Sequence, residues 1–192
     1  MILASASPRR RELLGRLCAE FEVVPSDIDE ILEGAPSEAT VAALALAKAR
    51  AVAARVGAGV VLGADTVVVI DGVALGKPRD DEDARTMLGR LRGRAHDVIT
   101  GVALVDAATG RAETTAVTTR VTMADVRHDA IEAYISSGEP LDKAGAYAIQ
   151  GRGAALVAGF TGSYSNVVGL PLGATARLLG RFGVEVSAPA ED

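Results

Sequence analysis

The stretch Val60-Val61-Leu62-Gly63-Ala64-Asp65-Thr66-Val67-Val68-Val69-Ile70-Asp71-Gly72-Val73-Ala74-Leu75 decides the fold. Residues 60–63 form an apolar run of the kind that makes a strand buried on both faces, and the β-branched run 66–70 continues to Asp71-Gly72. An Asp-Gly pair between two apolar runs is a hairpin signal, because both residues tolerate the backbone conformation that a tight two-residue turn needs. On this reading Asp65 stands where the buried strand ends, between Gly-Ala and the β-branched run.

Working outward from it, Ile2-Leu3-Ala4 reads as a short buried strand. Ser7 is a natural N-cap and Pro8 a natural first residue for a helix running to about Cys18. Phe21-Glu22-Val23-Val24 alternates like a strand. A helix from Ser37 to about Val56 carries Val41, Leu44, Ala45, Lys48 and Val52 on one face, so Lys48 interrupts an apolar stripe. Asp80 or Asp81 caps a helix with Ala84, Met87, Leu88 and Leu91 inward. Residues 97–105 and 111–123, rich in Val and Thr, flank a turn at 106–110 and pair as antiparallel strands. Asp129 with Glu132 reads as a capping box for a helix closed by Gly138 and Pro140. Residues 155–160 form a strand after a glycine-rich segment, and Pro171 opens the last helix. Strands and helices mix throughout, which argues for an α/β or α+β domain around a mixed sheet.

A chain of 192 residues fits one domain or two closely joined lobes. The 49% hydrophobic content, with three Phe, three Tyr and no Trp, makes the core aliphatic. A net charge of -5, from 20 basic and 25 acidic residues, gives no whole-molecule positive field and argues against duplex nucleic acid as a partner. The lone Cys18 makes no internal disulfide and fits a reducing compartment. The N-terminus lacks the basic and apolar regions of a signal peptide, and no apolar run approaches the roughly 20 residues that span a bilayer. A soluble, cytoplasmic protein with no membrane partner is expected.

Four segments carry chemistry. In Ser5-Ala6-Ser7-Pro8-Arg9-Arg10-Arg11, three arginines stand at a helix N-terminus whose partial positive charge disfavours them. Either a bound anion, held by serine hydroxyls, free N–H groups and guanidinium forks, resolves the conflict, or the arginines pair with Glu12 or Glu20 in solvent. Lys48 either snorkels to the surface or adds charge to a cleft. Asp65 is costly in a buried strand unless it binds a cation or takes a proton, which suits a metal ligand or general base. Residues 72–78, ending in Gly76-Lys77-Pro78, are one residue short of a P-loop and have Pro78 where that motif requires Ser or Thr, so the assignment is rejected, although Lys77 still suits a phosphate contact. In the glycine-rich segments 141–151 and 162–172, Gln150, Ser163 and Asn166 suit a base or ribose. His96 and His128 have no metal-ligand spacing and read as structural or exposed.

Taken in this order, the segments resemble the Maf family of nucleoside triphosphate pyrophosphatases. The match runs from Leu3 to Leu172 and includes Leu3-Ala4-Ser5-Ala6-Ser7-Pro8-Arg9-Arg10, Lys48-Ala49, Gly63-Ala64-Asp65-Thr66-Val67-Val68, Gly76-Lys77-Pro78, His96-Asp97-Val98-Ile99-Thr100-Gly101 and Gly138-Glu139-Pro140. The resemblance implies a single Maf-like domain over residues 1–192. It implies an α/β fold with a mixed twisted sheet, flanking helices and two lobes around a cleft, similar to inosine triphosphate pyrophosphatases, and a homodimer. By the same resemblance Asp65 activates water and ligates a divalent metal, Mg or Mn, with Glu30. Lys77 joins Asp65 in catalysis, Ser7, Arg10 and Lys48 hold the triphosphate, and Arg9, Thr66 and Gln150 bear on substrate choice. Asp142-Lys143-Ala144-Gly145-Ala146-Tyr147-Ala148-Ile149-Gln150-Gly151 resembles the branch acting on dTTP and UTP. Two other readings stand beside it: a nucleotide-binding regulator of septation with little turnover, and a house-cleaning hydrolase for modified nucleotides.

Overall fold

The computed structural model describes residues 1–28 and 35–187. In chain order the elements are β1 (Ile2–Leu3), α1 (Pro8–Gly15), β2 (Glu22–Val23), α2 (Glu38–Val56), β3 (Val60–Ile70), β4 (Val73–Leu75) and α3 (Asp81–Leu91). They continue through β5 (Ala95–Asp106), β6 (Ala112–Met123), α4 (His128–Ile135), β7 (Val157–Thr161), α5 (Tyr164–Val168) and α6 (Leu172–Arg181). The described residues form a seven-stranded mixed sheet in the order β2-β1-β3-β5-β6-β7, with β4 paired to β3. The α/β class with a mixed sheet and flanking helices is therefore the fold observed.

β3 is one continuous strand rather than two runs broken at Asp65. It pairs antiparallel with β5 without interruption from Val60↔Asp106 to Val69↔Asp97, so Asp65 lies in mid-strand opposite Gly101. Gly63 and Gly101 are glycines because α2 lies directly on them. A Cβ on Gly63 would come within 2.3 Å of the Ala45 carbonyl oxygen, and one on Gly101 within 2.6 Å of that of Val41. What reads locally as a strand ending is thus a helix contact. The helix expected from Ser37 forms, and Ser37 is its N-cap, closing a reciprocal capping box with Thr40. Asp80 caps α3 and the Asp71-Gly72 hairpin forms as read.

Elsewhere tertiary contacts override local signals. The Asp129–Glu132 capping box does not form: Arg127 is the N-cap residue without a side-chain cap bond. Glu132 instead accepts two bonds from Arg85 of α3, at 2.6 and 2.8 Å, and Asp129 pairs with Arg127. A fork-to-carboxylate pair between two elements outcompetes a single bond to the helix's own backbone. α1 ends at Gly15 rather than near Cys18, and β7 begins at Val157 because Gly151–Leu156 is wound as a short 3-10 segment. The glycine-rich segment 162–172 holds the helix α5, capped by Ser163.

Side chains alternate across β3 and β5, which divides the core. On one face α2 covers Val61, Ala103 and Val105 with Ala45, Ala49 and Val52. On the other face Leu62, Ala64, Val102 and Leu104 pack under α1 and α6, while Val68, Ile70 and Val98 pack with α3, α4 and Tyr147. These two clusters are the two expected lobes. Between them, on the same face, stand Thr66 and Thr100, which are register partners. Among the described residues no helix is long and apolar enough to cross a membrane.

Candidate active site

β1 pairs with β3 at Val61 and Leu62, its last link being the Ala4 N–H to the Leu62 carbonyl at 2.7 Å, and β4 rejoins the same edge at Val68–Ile70. Between these ends the described residues leave that edge of β3 without a strand neighbour. The chain leaving β1 turns through residues 5–8 into α1 beside this gap. A cleft of about 320 Å³ opens there, lined by Ser5, Ser7, Arg9, Arg10, Asp65, Thr66, Lys77 and Gln150 among others. Seven of the eight catalytic and substrate-binding residues named from the resemblance therefore meet in one cavity, although they come from four separate stretches of chain. The exception is Lys48.

Lys48 does not snorkel. It is 3% exposed and its Nζ lies 2.5 Å from Oδ1 of Asp65, itself 5% exposed. Because α2 rests directly on Gly63 and Gly101, its lysine reaches the carboxylate from behind the cleft. Lys48 thus holds Asp65 in place and compensates its charge, which a low-dielectric site requires. Glu30, the other metal ligand implied by the resemblance, lies outside the described residues.

Arg10 resolves the question raised by the arginine cluster. Its Nε donates to the Gly169 carbonyl at 3.0 Å, Nη1 to Ser5 Oγ at 3.3 Å and Nη2 to Thr66 Oγ1 at 3.1 Å. The guanidinium is thereby fixed across the cleft wall rather than paired in solvent. Arg9 reaches Asp142 at the rim, 3.5 Å away, and the Glu12 carboxylate is taken by Arg16. Ser7 Oγ accepts from Arg10 N as the α1 cap, so its hydroxyl serves the helix while its neighbour Ser5, buried, faces Arg10. Lys77 enters from the loop after β4, which is tied to the opposite wall by the Gly145 N–H to Gly76 carbonyl bond at 2.9 Å. Lys143, whose Nζ donates to Glu139 O and Asp142 Oδ1, adds another cation to the lining. With Arg9, Arg10 and Lys77 against Asp65 and Asp142, the cleft is cationic although the protein is acidic.

Ser163 and Asn166 are not among the residues that line the cleft. Ser163 caps α5, and Asn166, fully buried, donates to the Val98 carbonyl and to Thr119 Oγ1. Lys143 and Tyr147 carry no local signal of a site; only the folded register puts them in the cleft beside Ser5. Of the histidines, His128 is exposed, and His96 is 1% exposed with Nε2 2.7 Å from the Tyr147 hydroxyl. Burial lowers His96 from its ordinary 6.5 to about 4 and raises Tyr147, so both are neutral at physiological pH. On acidification the unfolded chain binds this proton from pH 6.5 downward while the folded chain does not until about 4. Stability should therefore fall through that window by about 3 kcal/mol from this group. Denaturant unfolding at stepped pH should show that increment in the wild type and not in His96→Gln, which keeps a polar partner for Tyr147 but does not titrate.

Fold and site together define an α/β protein with a cationic cleft at the interrupted edge of a mixed sheet and the buried carboxylate of Asp65 on its floor. Such a cleft suits a phosphorylated ligand. The chain belongs to the Maf family: the family model, described as Maf-like protein, matches residues 1–182. Similar proteins include the dTTP/UTP pyrophosphatase of Moorella thermoacetica, 57% identical over 97% of this chain and 96% of that protein. That of Myxococcus xanthus is 56% identical over 96% and 93%, and that of Symbiobacterium thermophilum 52% identical over 97% and 95%. Among solved structures, the Staphylococcus aureus Ham1 protein is similar at a TM-score of 0.48 and 16% identity, over 66% of this chain and 73% of that one.

Proposed function

We infer that this chain hydrolyses dTTP and UTP to the nucleoside monophosphate and pyrophosphate. The names of relatives more than half identical over nearly their whole length support the substrate class. The observation that carries the chemistry is Asp65, a buried carboxylate braced by Lys48 on the floor of a cleft whose walls present Arg10 and Lys77. In the reaction, a water oxygen bonds to the α-phosphorus, the bond to the bridging oxygen breaks, and pyrophosphate leaves. Asp65 takes the proton from the attacking water. Arg10 and Lys77 offset charge on the phosphates, the main requirement in phosphoryl transfer.

A divalent cation, Mg or Mn, fits the residues present. Such ions are commonly held by one or two carboxylates together with substrate phosphates rather than by a full protein cage. Asp65, which lines the cleft, is a carboxylate of that kind. Asp65, with Glu30, would hold the ion; when bound it supplies positive charge at the phosphates. The same reading takes residues 1–192 as one domain acting in the cytoplasm, and a homodimer follows from the family resemblance alone. The test is pyrophosphate release, with Mg or Mn, from dTTP, UTP, CTP, ATP, GTP and 7-methyl-GTP. Turnover of dTTP and UTP at least tenfold above the rest is expected. Binding without release from any of them would replace hydrolysis by a regulatory role.

A further inference from the structure

The seam between the two lobes is polar. Thr100 is fully buried, its Oγ1 lies 2.9 Å from Thr66 Oγ1, and it donates to the Asn166 carbonyl at 3.0 Å. A carbonyl oxygen only accepts, so the single Thr100 hydroxyl proton is committed to Asn166. The proton between the two threonines must then come from Thr66. Were it reversed, Thr100 would face the Asn166 oxygen lone pair to lone pair. Thr66 also accepts from Arg10 Nη2, so its oxygen has one lone pair left and no proton to offer, and Thr66 lines the cleft.

We propose that Thr100 is the positioning residue that sets substrate choice: by taking the Thr66 proton it makes Thr66 a pure acceptor, which selects a base that brings an N–H donor. This rests on the pyrophosphatase reading. Uracil and thymine carry an imide N–H at the ring position where cytosine carries a bare nitrogen lone pair. Facing an acceptor-only Thr66, the imide gains a hydrogen bond and cytosine meets repulsion. Without Thr100, the Thr66 hydroxyl turns freely and donates to cytosine as readily as it accepts from uracil.

The experiment compares kcat/KM for UTP and CTP in wild type, Thr100→Val and Thr100→Ser. Thr100→Val keeps the volume and removes the hydroxyl; its UTP-over-CTP ratio should fall at least tenfold, and Thr100→Ser should restore it. An unchanged ratio, with both substrates slowed equally, would reduce Thr100 to a packing role and overturn the proposal. If Thr100→Val does not fold, Thr100→Ala, which makes no demand on space, is read the same way. Should the wild type turn over no nucleotide, the hydrolytic reading fails on its own. Calorimetric binding of UTP and CTP to the same variants then decides the proposal by the same ratio.

Discussion

Asp65→Asn is expected to lower dTTP and UTP turnover by about 10²–10⁴-fold, the usual contribution of a positioned general base. The amide keeps the shape of the carboxylate and its oxygen still accepts from Lys48, which lies 2.5 Å away in the wild type. Arg10, Lys77 and Gln150 are untouched, so calorimetric affinity for the nucleotide should change by no more than a few fold. The two roles assigned to Asp65 separate by metal titration. If asparagine only weakens a metal site, raising Mg or Mn restores the rate; if the base is gone, no metal concentration does. A variant with wild-type rate would remove Asp65 from the mechanism altogether.

The order of elements was legible because local signals agreed with tertiary ones over most of the chain. Ser7, Asp80 and the Asp71-Gly72 turn act through residues two to four positions away, and all three behave as read. The errors arise where a partner distant in sequence decides. Glu132 is drawn from its helix cap by Arg85, and Gly63 serves the approach of α2 rather than the end of a strand. Most of the residues tied to the cleft were likewise found, since family motifs mark chemistry that local physics leaves ambiguous. The pairing of Lys48 with Asp65 was not, because the closeness of a helix to a sheet is set by two glycines far apart in sequence. Thr100 passed unselected for a similar reason: its significance is a register pairing with Thr66 that no local pattern reveals.

Lys48→Met should be costly in both stability and activity. The pair it breaks is buried on both sides, Lys48 being 3% and Asp65 5% exposed, so the remaining carboxylate loses a compensating charge where water cannot replace it. Removing one partner of such a pair costs about 3–5 kcal/mol, readable as a lowered midpoint in denaturant unfolding. Turnover should fall as well, because Asp65 then lacks the contact that fixes one of its oxygens. Lys48→Arg is not expected to rescue either property. The planar guanidinium cannot occupy the narrow space between α2 and the glycine-floored sheet that a linear ammonium chain fills. The combination Lys48→Met with Asp65→Leu distinguishes the cost of the unpaired charge from the cost of lost packing. Apolar replacement of a whole buried pair is often neutral or stabilising. The double variant should therefore recover stability relative to Lys48→Met while remaining inactive. A double variant as unstable as the single one would mean that Lys48 supports α2 chiefly by filling space. Recovery of stability without activity would identify the pair as a feature retained for catalysis, since an apolar pair then folds at least as well.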